Sequence, residues 1–165
     1  MPTNLYGPGD NYSLKNSHVL AAFIRKFYEA KTSNSDTVTC WGSGKPLREF
    51  LHVDDLSEAV RFVLEKWDPK ENNFLDENNN EIFYLNVGTG KDITIKELAE
   101  KISKKMNFEG QIIWDESKPD GTPKKQLDIS KLSGLGWKPQ IDLNDGLDLT
   151  IKSFKKELIN KKCRF

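Results

Sequence analysis

The stretch Ile82-Phe83-Tyr84-Leu85-Asn86-Val87 is nearly all apolar. A strand of that kind is usually buried on both faces of a parallel sheet, and parallel strands need crossover helices to connect them. Four helical stripes and three further strand candidates surround it, so the alternation implies an α/β arrangement. Periodicity predicts helices over residues 17–31, 55–67, about 94–106 and 143–159. In the second of these, Leu56, Ala59, Val60, Val63, Leu64 and Trp67 share one stripe behind the acidic start Asp54-Asp55. Thr94 and Glu97 have the spacing of a capping box, with Ile93 and Leu98 as its staple. The other strands are expected at Thr37–Trp41, Leu47–Val53 and Gln111–Trp114. Four short strands scattered this way do not make a complete doubly wound sheet, and the chain looks cut.

The polar stretch Asp68–Glu81 reads as a surface loop of hairpin type. No internal repeat is found. An apolar content of 36% supports a real core, while Lys+Arg and Asp+Glu both number 25. A balanced chain has no global field for nucleic acid or an anionic membrane, so any grip on an anion is local. No apolar run approaches a membrane span, and residues 1–10 carry no signal-peptide core. The two cysteines, Cys40 and Cys163, fit no metal spacing and suit a reducing cytoplasm.

Familiar nucleotide motifs fail on inspection. Gly88-Thr89-Gly90 follows the apolar strand, but the third glycine of a dinucleotide fingerprint is replaced by Ile93. A tight turn is the simpler reading. Gly44-Lys45 is followed by Pro46, where a phosphate-binding loop needs a hydroxyl. No tyrosine precedes a lysine by four residues: Tyr6, Tyr12, Tyr28 and Tyr84 precede Asp10, Asn16, Thr32 and Gly88.

Three segments together carry a resemblance. Pro2 to Pro8 (PTNLYGP) looks like the stretch after the catalytic strand of extended short-chain dehydrogenases/reductases. Trp41 to Asp55 (WGSGKPLREFLHVDD) is similar to their substrate-domain signature. Asn16-Ser17-His18-Val19, taken with Lys118 to Lys125 (KPDGTPKK), resembles the GDP-L-fucose synthase family in particular. The resemblance implies an α/β fold: the C-terminal substrate-binding part of such an enzyme, with one or two strands belonging to an incomplete Rossmann sheet. Residues 1–165 form one substrate-binding domain on this reading, and residues 1–15 and about 82–92 border a Rossmann domain.

The reaction implied is epimerisation of GDP-4-keto-6-deoxy-mannose at C3 and C5, followed by reduction at C4 with NADPH. A cysteine and a histidine share the proton transfers in that family. Neither Cys40 nor Cys163 matches the cysteine; His18 matches the histidine. At the start of a helix an imidazole is a readier proton donor, which suits the acid. An exposed or capping role is its plain alternative.

The resemblance places Pro2, Thr3, Asn4 and Leu5, with His18, along the nicotinamide end of NADP. It places Lys26, Trp41, Arg48, Asp120 and Lys125 on the GDP-sugar. Arg25 rivals Lys26 for the diphosphate. Asp120 would accept from guanine or ribose, and Arg48 would fork onto phosphate unless a salt bridge to Glu49 or Asp54 holds it. Asp54 and Asp55 read as helix caps, with His52 bracing the junction. No metal ligand set is expected.

The chain by itself is expected to be inactive, lacking the glycine fingerprint, the Tyr-Lys pair and the cysteine. A homodimer is expected of the full-length protein. The alternatives are another NAD(P)-dependent nucleotide-sugar epimerase or dehydratase, and a nucleotide-sugar binding module without chemistry.

Overall fold

In the computed structural model of the chain, residues 1–72 and 74–165 are described. The elements run β1 (Asn4–Tyr6), α1 (Val19–Thr32), β2 (Thr37–Trp41), β3 (Leu47–His52), α2 (Val53–Lys66), α3 (Pro69–Asn72), β4 (Asp92–Thr94), α4 (Ile95–Met106), β5 (Gln111–Asp115), β6 (Lys124–Lys125), α5 (Ser130–Gly134) and α6 (Leu143–Ile159). Strand β3 is the hub. Its C-terminal half pairs in parallel with β1, Leu5 opposite Leu51. Its N-terminal half lies between antiparallel β4, with Arg48 opposite Ile93, and parallel β6, with Arg48 opposite Lys125. A separate parallel ribbon joins β2 to β5, Trp41 opposite Asp115.

Helices α1, α4 and α6 close over one core, in which Leu20, Phe27, Leu98, Ile102, Leu147 and Phe154 are buried. A second core gathers Leu51, Ala59, Leu85, Val87, Leu132 and Trp137 on the other side of β3. The capping box of α4 forms as its spacing demands: the Thr94 hydroxyl accepts Glu97 N at 3.0 Å, and Glu97 accepts Thr94 N at 2.8 Å. Helix α6 begins where Asp142 accepts the amides of Asn144 and Asp145.

Three expectations are corrected. Residues 82–87 are not a ladder strand. Val87 N donates to Met1 O, Thr3 N donates to Val87 O and the Met1 ammonium donates to Leu85 O, which makes one isolated bridge, Pro2 to Val87, and no ladder. Ile82, Leu85 and Val87 are buried, but Phe83 and Tyr84 are 65% and 56% exposed. The exposed pair are neighbours in sequence rather than alternate residues, so the segment lacks the covering layers that a strand buried on both faces needs. The stripe of α2 is narrower than expected, for the same reason: Val60 and Leu64 are 51% and 81% exposed. Finally, Asp54 and Asp55 do not cap α2. His52 is the N-cap, its Nδ1 accepting Asp54 N at 3.3 Å. Asp55 is buried and accepts Gln140 N at 2.9 Å and Ile141 N at 3.0 Å, tying α2 to the approach to α6.

The Asp68–Glu81 stretch is part helix, part loop. α3 opens it, and an antiparallel bridge between Leu75 and Glu81 closes a turn built on the Asp76 carboxylate, as the hairpin reading expects. Asn73 lies within this stretch and outside the described residues.

Candidate functional site

The residues singled out by sequence fall into two groups. The first surrounds the start of α1. His18 is the N-cap position of that helix, extended in backbone and exposed in side chain, and its imidazole caps nothing. It lines a 320 Å³ cavity with Leu5, Tyr6, Asp10, Asn16 and Val53. The preceding residues are fixed from below. Asn4 Nδ2 donates to Glu49 O at 2.7 Å, Thr3 Oγ1 donates to the same oxygen at 3.3 Å, and Pro2 bridges to Val87. Asp10 sits on the cavity wall, half-buried; desolvation pushes its carboxyl up, against the opposing pull of the Asn11 amide and the charges of His18 and Arg164.

Glu49 anchors this floor. It is fully buried, and its Oε1 accepts Thr89 N at 2.5 Å and Gly90 N at 2.6 Å, while Oε2 accepts Leu127 N at 3.2 Å. A Cβ on Gly88 would collide with this carboxylate. The Gly88-Thr89-Gly90 turn thus bonds the protein's own anion. Sequence reasoning missed Glu49 because it was read only as a surface partner for Arg48.

The second group lies at the ends of β2 and β5. Trp41 is 65% exposed at the end of β2. Lys26 Nζ stands 5.5 Å from its ring centroid and donates to Thr39 O at 2.9 Å; Lys118 Nζ stands 5.9 Å from the same ring. Two ammoniums over one exposed indole form a cationic, flat-walled face. Arg25 does not share it: its guanidinium pairs with Glu29 at 2.6 Å, donates to Tyr12 O and covers the Phe165 ring.

Asp120 closes the turn beside Trp41. Its carboxylate accepts Ser43 N at 2.8 Å and Ser43 Oγ at 2.5 Å, and those bonds hold its carboxyl below the ordinary range. Gly42, at φ +79°, is a position where a Cβ would strike that carboxylate. Arg48 pairs with neither Glu49 nor Asp54. Its Nη1 donates to Leu47 O at 2.7 Å and Thr122 O at 2.6 Å, so the arginine holds the 118–125 loop against β3. Lys125 is exposed on β6, one strand from Arg48. Lys118 was seen in sequence only as one lysine of a polar loop; the register of β2 with β5 brings it to Trp41, which spacing along the chain cannot show.

A family profile described as the NAD dependent epimerase/dehydratase family matches residues 1–75. Probable GDP-L-fucose synthase 1 from Oryza sativa subsp. japonica is 49% identical over 98% of this chain and 46% of its own length. GDP-L-fucose synthase from Escherichia coli strain K12 is 47% identical over 93% of this chain and 47% of its own length. A crystal structure of a GDP-L-fucose synthetase from Naegleria fowleri bound to NADP is 26% identical, with a TM-score of 0.82 over 99% of this chain and 47% of that one. The chain spans about half the length of the curated relatives it matches. The likeness of the chain, along nearly its whole length, is to the GDP-L-fucose synthases, in keeping with the C-terminal part of an extended short-chain dehydrogenase/reductase.

Proposed function

We propose that residues 1–165 are the substrate-gripping domain of an enzyme that epimerises GDP-4-keto-6-deoxy-mannose at C3 and C5 and reduces C4 with NADPH. The observation that carries this reading is the pairing of two unlike surfaces on one small domain. One is a cavity edged by an uncommitted imidazole, the other an exposed indole under two ammoniums. The relatives named for GDP-L-fucose synthesis support the choice of nucleotide sugar.

On this reading His18 returns a proton to the sugar carbon beside the ketone, and a residue outside this chain removes the one on the opposite face. NADPH, when bound, supplies the hydride to C4. Leu5 and His18 border its nicotinamide end, while Pro2, Thr3 and Asn4 brace that edge through Val87 and Glu49. Trp41 stacks flat against the ligand. Lys26 and Lys125 neutralise its diphosphate, and Arg48 shapes the loop and contributes its remaining donors. Asp120, bonded to Ser43, meets guanine or ribose only with an oxygen edge left over from that contact. Residues 1–15 and 82–92 border a Rossmann domain, with Phe83 and Tyr84 as the apolar edge of that border. We further propose that the full-length protein is a homodimer working in the cytoplasm; no helix among the described residues is long and apolar enough to cross a membrane.

Calorimetric titration of the chain with GDP tests the grip. Trp41→Ala and Lys26→Ala should each weaken binding by on the order of tenfold. Equal affinity in both variants refutes the assignment. Incubation with the keto-sugar nucleotide and NADPH tests the division of labour, and measurable NADPH oxidation by the chain alone would show it to be more than half of an active site.

A further inference from the structure

The 163–165 segment returns to the start of α1. Tyr12 N donates to Arg164 O at 2.8 Å, and Asn11 and Arg164 form a parallel bridge. Arg25 fastens both sides: its Nη1 donates to Tyr12 O at 3.0 Å, and its guanidinium covers the Phe165 ring, 4.4 Å from the centroid. From α6, Glu157 accepts Gly9 N at 3.0 Å. These contacts put Arg164 on the wall of the 320 Å³ cavity that Asp10 and His18 also line.

An anion and a cation thus share the cavity of one imidazole. Asp10 Oδ1 accepts Asn11 N at 2.7 Å, and among the described residues neither Asp10 nor Arg164 closes an ion pair. The other titratable groups around the cavity are engaged elsewhere. Glu157 also accepts Ser153 Oγ, at 2.6 Å, and Cys163 Sγ donates to Phe154 O at 3.6 Å. The Tyr6 phenol is pushed up by burial and by the carboxylates of Asp55, Asp142 and Asp145. Behind Gly7, His52 spends Nδ1 on Asp54 N, with the Asp54 carboxylate 3.6 Å away. The first turn of α1 brings no carboxylate.

We propose that Asp10 and Arg164 are positioning residues that set the charge of the His18 imidazole in opposite senses, the arginine being delivered by the 163–165 strap. The inference rests on the reading of His18 as the proton donor. Such a donor must be charged when substrate arrives and neutral once the proton has left. A nearby carboxylate favours the first state and a nearby guanidinium the second. The coupling is mutual: desolvation raises the Asp10 carboxyl, and the Asn11 amide and the charges of His18 and Arg164 oppose it.

The 165-residue chain has two histidines, so His18→Gln assigns the His18 imidazole resonance, which is then followed against pH. Low ionic strength is used because Arg164 is exposed and salt screens it. Asp10→Asn keeps an oxygen for Asn11 N and removes the charge; the His18 midpoint should move down. Arg164→Ala and Arg164→Gln should both move it up, and Arg164→Lys should restore the parent midpoint. A general loosening of the loop would not move one midpoint in two directions. An unchanged midpoint on removing either charge, or shifts of one sign for both, overturns the inference. The measurement needs no substrate, so the donor reading fails separately: a full-length His18→Gln enzyme that still epimerised would sink that reading while both midpoint shifts stood.

Discussion

Lys26 Nζ lies 5.5 Å from the centre of the Trp41 ring while its neighbour Arg25 turns the other way, onto Glu29 and Phe165. Adjacent cations on one helix therefore do different work. Lys26→Ala should weaken GDP binding by on the order of tenfold with little change in melting temperature. Arg25→Ala should leave binding alone and lower the melting temperature, since it frees the Tyr12 carbonyl and uncovers Phe165. Titration and thermal melts on the two proteins separate the roles, and a reversed pattern would show that the diphosphate sits on Arg25.

Glu49→Gln keeps the shape of the side chain and removes the charge that three backbone amides converge on. A glutamine must aim its own NH₂ at one of those donors. The loss should be on the order of 2–4 kcal/mol in denaturant titration. A loss below half a kilocalorie would mean that the turn holds itself.

Cys40 is buried, and burial pushes its thiol up to about 11, only slightly opposed by the charge of Lys26. The thiolate is the reactive form. At neutral pH the folded chain should leave Cys40 unmodified by a thiol reagent, and labelling should track global unfolding in a denaturant series. Rapid labelling of Cys40 itself without denaturant, read apart from the half-buried Cys163 by peptide mapping, would show that β2 opens locally.

Asp142 caps α6, and the amides of Asp145 and Asn144 hold its carboxyl below its ordinary 3.8. A carboxylate lowered on folding contributes stability that is complete above the unfolded value and is lost as pH falls through the folded one. Asp142→Ala should therefore melt lower than the parent by a constant margin above about pH 5, with the gap closing below 3.8. Melts across that range check it; a gap that widens in acid would reverse the sign of the linkage.

Much of this fold is legible because its signals are local. Helical periodicity and the lysines crowding its last turn mark α6 from Leu143 to Ile159, and Thr94 with Glu97 marks α4. Strands β1, β4 and β6 are two or three residues long and exist through their pairing with β3, which no short window reveals. Periodicity shows which side chains of α2 share a stripe, but not what covers them, so Val60 and Leu64 were expected inside. At the site, a motif can point to Trp41 and Lys26 singly. That Lys118 joins them, and that Asp120 is bonded to Ser43, depends on contacts spanning about half the chain.

The glycine-rich turn at Gly88–Gly90 closes around a side chain from β3, and this changes how such turns can be interpreted from text. A motif search would flag Gly-Thr-Gly after an apolar run as a nucleotide cradle. Here the guest is internal and permanent, so an added phosphate has nothing to displace it with except the stability of the sheet. Searches that also ask whether an acidic residue sits on a partnering strand would separate lodged turns of this kind from vacant ones.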